Sequence, residues 1–205
     1  MNTQILTVNS PDAIIIILQV LKAGGLVAFP TDTVYGVGAL AFDGKAVESI
    51  FVAKDRPIEK AIPVLLSEAE ELDKVASDVP TMARRLADRF WPGPLTLVVP
   101  KKKTLPKPVS ATNTVGVRVP DNPTAHTLLR SAGPMAVTSA NISGGLSPTT
   151  AGEVFAQLSG RIELILDGGR TPGGAASTVV DCTQKEPAIL RVGPITIEEI
   201  KSALT

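Results

Sequence analysis

One cysteine and one histidine are all that 205 residues contain. A lone cysteine makes no internal disulfide, and together the two cannot supply the ligands of a structural zinc site. Histidine scarcity also disfavours hydrolytic triads, which use that side chain as general base. His126, within Pro-Thr-Ala-His-Thr-Leu-Leu, is expected to ride a helix surface. Cys182, within Val-Val-Asp-Cys-Thr, is expected as a small buried hydrophobe, since nothing nearby would lower its pKa. Aromatic residues are only 3% of the chain, which argues against gripping single strands by base stacking. Neither sign of charge is in surplus: 20 basic residues balance 20 acidic ones, so only a local patch could attract nucleic acid. The apolar run from Ile14 to Leu21 is too short to span a bilayer, and Asn2 to Asp12 lacks the positive start of a signal peptide. A cytoplasmic location and no membrane partner are therefore expected. Also missing are a G-x-x-x-x-G-K-[ST] phosphate loop and a G-x-G-x-x-G turn after a strand.

What the chain does have is 44% hydrophobic content, enough for one good core, and the expectation is a single domain over residues 1–205 with no C-terminal extension domain. Strand and helix signals alternate. Ile5 to Val8 reads as a strand; Ser10-Pro11-Asp12 opens a helix through Lys22 that Gly24-Gly25 closes. Leu26 to Pro30 is a buried strand stopped by proline, and Thr31 sits at its mouth. Asp43 caps a helix whose apolar positions Ala46, Val47, Ile50 and Phe51 share one face, with Lys54 and Arg56 at its exit and Pro57 ending it. Ile62 to Leu66 predicts a strand, and Ser67 with Glu70 a capping box for a helix to Ala76. A helix over Thr81 to Phe90, a turn at Trp91 to Pro94, and strands at Leu95 to Val99 and Val115 to Val119 follow. Lys101 to Lys103 reads as a solvated loop. Then come a helix from Pro123 to Arg130, a strand from Met135 to Thr138, a polar loop from Ser139 to Pro148 and a helix from Thr150 to Leu158. Glu163 to Leu166 is a strand, followed by a glycine-rich loop from Asp167 to Gly174. Thr178 to Cys182 and Ala188 to Val192 are the last strands, and Thr196 with Glu199 caps a closing helix. The alternation predicts an α/β protein with a mainly central, mixed sheet and flanking helices.

Cations and hydroxyls fall at strand ends: Thr31, Lys54, Arg56, Thr114, Arg118, Ser139, Ser177 and Arg191. Such a set suits phosphoryl chemistry, which needs positioning, cations and donors around a spreading negative charge more than it needs histidine. Arginine also grips a carboxylate bidentately, so an amino acid could share the cleft with a nucleotide. Open α/β sheets commonly bind such ligands beyond the carboxyl ends of their strands.

Taken together, Ala28-Phe29-Pro30-Thr31-Asp32-Thr33-Val34-Tyr35-Gly36, Lys54-Asp55-Arg56-Pro57, Trp91-Pro92-Gly93-Pro94-Leu95-Thr96, Ser139-Ala140-Asn141 and Arg191-Val192-Gly193-Pro194 resemble the YrdC family of threonylcarbamoyl-AMP synthases. The likeness covers nearly the whole chain, in order. It implies a YrdC-like domain with a twisted sheet and a basic concave cavity that condenses L-threonine, bicarbonate and ATP, releasing pyrophosphate. Magnesium is implied as the metal carried by ATP, with no protein metal site. The product would feed a separate tRNA threonylcarbamoyl transferase complex acting on the adenosine beside the anticodon. The resemblance puts Lys54, Arg56, Thr114, Ser139, Asn141, Ser147 and Arg191 around ATP, with Lys54 and Arg56 catalytic, and Thr31, Arg118 and Ser177 around threonine.

One departure concerns the strand after the Lys-x-Arg-Pro string. Many relatives carry there a histidine that touches threonine, whereas Ile-Pro-Val-Leu-Leu puts Leu65 at that position. Long family members add a linker and a further domain, and this chain resembles the short form. One other reading stays open at this point. A YrdC-like fold could serve as a non-catalytic module for tRNA or double-stranded RNA, whose binding would weaken steeply with salt and ignore threonine. The carbamoyladenylate-forming modules of hydrogenase maturation proteins share the fold, but sit in much larger chains with zinc-binding and acylphosphatase-like parts.

Overall fold

Val27, Ala28 and Phe29 are completely buried, as a strand covered on both faces requires, and they lie third from one edge of the ten-stranded sheet that organises the chain. The computed structural model describes residues 2–173 and 175–205; Gly174, the far end of the expected glycine-rich loop, lies outside the described residues. In chain order the elements are β1 (Gln4–Thr7), α1 (Ala13–Lys22), β2 (Val27–Pro30), β3 (Tyr35–Leu40), α2 (Gly44–Lys54), β4 (Val64–Leu65), a 3-10 turn (Ala69–Glu71) running into α3 (Leu72–Val75), α4 (Thr81–Phe90), β5 (Leu95–Pro100), β6 (Thr114–Arg118), α5 (Pro123–Ala132), β7 (Met135–Ser139), α6 (Ala151–Leu158), β8 (Leu164–Asp167), β9 (Thr178–Asp181), β10 (Ala188–Arg191) and α7 (Ile197–Ser202). The strands form one mixed sheet in the order β1-β8-β2-β3-β7-β4-β6-β5-β9-β10. The β1/β8, β2/β8, β4/β6 and β5/β9 pairs are parallel, and the other pairs antiparallel.

Strand alternation sorts the core into two layers. Val27 and Phe29 of β2 pack with Ile17 and Leu21 of α1 and Leu128 and Leu129 of α5. Ala28 faces the other way, into a larger cluster that holds Val47 and Ile50 of α2, Leu72 of α3, Leu86 of α4 and Val154 of α6. Local signals act as expected at several helix starts. The Asp43 carboxylate accepts the Ala46 N–H at 3.1 Å, the Thr150 side chain accepts from Glu153 N, and Thr196 with Glu199 completes a reciprocal capping box.

Three local expectations are corrected. The partner of Ser67 is Glu71 and not Glu70: one Glu71 oxygen accepts both the Ser67 N–H, at 2.9 Å, and its hydroxyl, at 2.8 Å, and the segment begins as a 3-10 turn. The Ile62 to Leu66 run yields only a two-residue strand, because Ile62 N instead bonds Val109 O in a loop. The third is β3, a strand where the sequence after Thr31 shows only a loop between strand and helix. Its glycines disguise it, yet they are what let it pair: a Cβ on Gly38 would lie 2.5 Å from the Ala136 carbonyl oxygen, and one on Gly36 would lie 2.6 Å from a Val137 methyl. Among the described residues no helix is long and apolar enough to cross a membrane.

Candidate active site

Helices α1 and α5 cover only part of one sheet face. On the uncovered remainder, Leu65 of β4, Val98 of β5, Gly116 of β6, Val137 of β7 and Val179 of β9 floor a cleft of about 420 Å³. Their strand neighbours Val64, Leu97, Val99, Val115, Val117, Ala136 and Val180 point into the opposite core layer, so alternation produces the floor. The site thus lies across an open sheet face, which corrects the expectation of a site beyond strand ends. A larger and more open depression of about 740 Å³ surrounds Leu40, Phe42 and Glu48, but no arginine and no hydroxyl residue lines it.

Of the residues singled out in the sequence, Thr31, Arg56, Arg118, Ser139, Ser147, Ser177 and Arg191 all border the cleft, as does Leu65. Elements distant in sequence supply them, so the sheet brings them together. Arg118, at the end of β6, is 6% exposed. Its Nε donates to Gly93 O at 3.0 Å, Nη1 to the Thr33 hydroxyl at 3.3 Å, and Nη2 to the Asp32 carboxylate in a largely buried ion pair. A guanidinium carries five N–H groups, so two still lack a protein acceptor among the described residues. The Thr31 hydroxyl donates to Val34 O at 2.7 Å and lies 3.0 Å from the Thr33 hydroxyl, which links it to Arg118.

On the far wall, Arg191 of β10 grips Ser177: Nε donates to the Ser177 carbonyl at 2.9 Å and Nη2 to its hydroxyl oxygen at 3.0 Å. Burial, and the charge of Arg118 across the cleft, hold the Arg191 pKa below its ordinary value. Arg56 is likewise lowered by burial, and its Nη2 donates to Ala61 O at 3.0 Å. Three guanidinium groups around one cleft, two of them desolvated enough to be perturbed, make a site primed for anions.

Three of the expected site residues do not line the cleft. Lys54 is 1% exposed, and its ammonium donates to the backbone carbonyls of Ser139 and Asn141. Desolvation, then the charge of Arg56, lowers its pKa to about 8. The Asn141 amide bonds Ile142 O at 2.7 Å and Gly145 O at 2.9 Å, shaping the loop that leads to Ser147, and its Oδ1 is buried without a partner among the described residues. Thr114 stands at the start of β6, hydrogen-bonded to the Thr112 hydroxyl at 3.0 Å.

Conversely, Asp32, Thr33, Tyr35 and Thr96 have places at the site that residue type and spacing do not reveal, although all lie within the family-like strings. Tyr35 borders the cleft and donates to Gly169 O at 2.6 Å; burial pushes its phenol up to about 12. His126 is partly buried on α5, and Cys182 is fully buried with its thiol pushed up to about 12 by desolvation. Among the described residues no three His, Cys, Asp or Glu side chains are placed to hold a metal ion.

A family profile described as Sua5_yciO_yrdC, telomere recombination, matches residues 19–193. The chain belongs to the Sua5/YciO/YrdC family. It is 46% identical over 186 residues to a protein of Pyrococcus abyssi named threonylcarbamoyl-AMP synthase, covering 90% of this chain and 55% of that one. A Bacillus subtilis protein of the same name is 43% identical over 187 residues, covering 90% and 54%. The family chain thus spans about half the length of these curated relatives. Among solved structures, that of P. abyssi Sua5 complexed with L-threonine superposes with a TM-score of 0.93 at 42% identity, over 100% of this chain and 61% of that one.

Proposed function

We propose that this protein forms L-threonylcarbamoyl-AMP and pyrophosphate from L-threonine, bicarbonate and ATP, a nucleotidyl transfer in the service of threonylcarbamoyladenosine modification of tRNA. The observation that carries the reading is the ring of Arg56, Arg118 and Arg191 around an open sheet face, with the hydroxyls of Thr31, Ser139, Ser147 and Ser177 between them. Relatives bearing the synthase name, and a relative holding L-threonine, support it.

In this reading the threonine amine takes up carbon dioxide, with loss of a proton, to give a carbamate. A carbamate oxygen then attacks the α-phosphorus of ATP, a P–O bond to the β-phosphate breaks, and pyrophosphate leaves with the electron pair. Negative charge spreads over the transferring phosphate, so preorganised cations contribute most of the stabilisation. Arg56, Ser139, Ser147 and Arg191 hold the triphosphate. Arg118 takes the threonine carboxylate on its two free N–H groups, while Thr31 and Ser177 address the polar atoms of the amino acid. The donors at the cleft are hydroxyls and guanidiniums, which suit phosphate oxygens and not a resident metal, and Asp32 is already committed to Arg118. A divalent cation, magnesium in this reading, therefore enters as part of the nucleotide substrate. The adenylate is labile and is consumed by a group transferase acting on tRNA.

The test is to incubate the purified protein with ATP, magnesium, bicarbonate and threonine and to measure pyrophosphate and the adenylate. Pyrophosphate that appears only when threonine and bicarbonate are both present is the expected result. RNA binding without any threonine-dependent turnover of ATP would replace this reading with that of a binding module.

A further inference from the structure

Thr96 carries a hydroxyl that the scheme above does not use. It is 4% exposed on β5, borders the cleft, and lies 2.8 Å from the Ser177 hydroxyl. Its rotamer is fixed from both sides. The methyl fills the space left by the missing side chain of Gly116, where a Cβ would approach it to 3.2 Å, and the hydroxyl points at Ser177.

Proton accounting leaves this contact two possible directions, one of which frees the Ser177 proton for a ligand. Arg191 Nη2 has only protons to give, so the Ser177 oxygen accepts from it. If the Thr96 hydroxyl also donates, both lone pairs of the Ser177 oxygen are engaged, and the Ser177 proton is left to point away from both partners. Ser177 is itself 4% exposed and borders the cleft, so an acceptor oxygen on a ligand is the partner that completes the set. Without Thr96, the Ser177 hydroxyl could rotate and spend its proton elsewhere.

We propose that Thr96 is a positioning residue of the amino acid subsite, holding Ser177 as a hydrogen-bond donor to an oxygen of the bound amino acid. This rests on the reading of the cleft as a threonine site. Thr96→Val keeps the shape, suits a strand and removes the hydroxyl, whereas Thr96→Ser keeps the hydroxyl and removes the methyl. The experiment measures L-threonine binding by calorimetry and threonine-dependent pyrophosphate release, with a thermal melt for each variant.

Thr96→Val is expected to weaken threonine binding and raise its KM roughly tenfold, with the ATP KM and the melting temperature little changed. Thr96→Ser is expected to stay within about threefold of the wild type. Gly116→Ala, which crowds the Thr96 methyl, should fall between the two. A Thr96→Val protein that binds threonine like the wild type, or loses affinity for ATP and threonine alike, overturns the proposal and leaves the synthase reading standing. A wild-type protein that binds threonine but releases no pyrophosphate overturns the synthase reading, and Thr96 is then judged by affinity alone. A wild-type protein that binds no threonine overturns both.

Discussion

The Lys54 ammonium, buried at the end of α2, hydrogen-bonds the backbone carbonyl of Asn141 across 87 residues of sequence. With the Ser139 carbonyl as its second acceptor, and with Ser143 N returning a 2.8 Å bond to Lys54 O, it ties the helix exit that carries Arg56 to the loop that carries Ser139 and Ser147. Lys54 and Arg56 stand two positions apart and differ in kind: one braces the cleft wall from behind, the other borders the cleft.

Substitution should separate them. Arg56→Ala is expected to lower adenylate formation by roughly two orders of magnitude with an unchanged thermal melt, since a preorganised cation is lost from the cleft. Lys54→Ala opens a cavity and leaves two buried carbonyls unpaired, so it should lose about 2–5 kcal/mol of stability by denaturant titration, with activity falling as a consequence. Equal stability loss in the two variants would refute the distinction.

Lys54 also predicts a pH dependence, with a sign opposite to that of a lysine gaining a carboxylate. Its folded pKa of about 8 lies below the unfolded value, because burial, then the nearby Arg56 charge, opposes the proton. Below about pH 8 both states hold the proton and the cost of burying the charge is fully present. Between about pH 8 and the ordinary lysine value the unfolded chain holds more protons, so stability rises with pH. Relative to Lys54→Met, the wild type should gain on the order of a few kcal/mol from pH 7.5 to 10.5. Denaturant midpoints of both proteins across that range check this, and parallel curves would remove Lys54 as the titrating group.

Leu65 offers a test of the cleft floor. It is 5% exposed and pairs in register with Arg118 across the β4/β6 ladder. Leu65→Asp places a carboxylate beside the guanidinium that the threonine carboxylate needs, so it competes for the two free N–H groups and repels the substrate. The threonine KM should rise at least tenfold while the ATP KM changes little. An unaltered threonine KM would place the amino acid elsewhere in the cleft.

Much of this was legible in the chain itself. Caps at Asp43, Thr150 and Thr196, and the apolar runs of β2, β5 and β7, act through neighbours a few residues away, and a linear reading captures them. β3 was hidden because Gly36 and Gly38 lower strand propensity for a reason visible only in three dimensions, the close approach of β7. The same limit applied to the site. Sequence could nominate Lys54 as a cation near a helix exit, but the direction of its ammonium depends on carbonyls 85 and 87 residues away. Thr33 and Thr96 gain their roles from Arg118 and Ser177, contacts that no spacing rule reveals.

Selectivity among amino acids tests the polar reading of the cleft against its shape. The candidate threonine environment combines hydroxyls, Thr31 and Ser177, with the apolar Leu65, so the substrate's methyl and hydroxyl should count unequally. Serine lacks only the methyl, and one missing methyl is worth about 1–3 kcal/mol, so serine should react roughly tenfold to two-hundredfold less efficiently. Valine keeps the shape and loses the hydroxyl. That leaves the proton of the Ser177 hydroxyl, 4% exposed, without an acceptor, and a polar group stranded in this way costs more than a small void. Valine should therefore be rejected more strongly than serine. The Thr96→Val protein, whose Ser177 proton is no longer held in place, should discriminate less between threonine and valine than the wild type does. The measurement is kcat/KM for adenylate formation with threonine, serine and valine at saturating ATP and bicarbonate. Valine reacting as well as threonine in the wild type would show that no polar group reads the side chain, and the hydroxyls of the cleft would then serve the nucleotide alone.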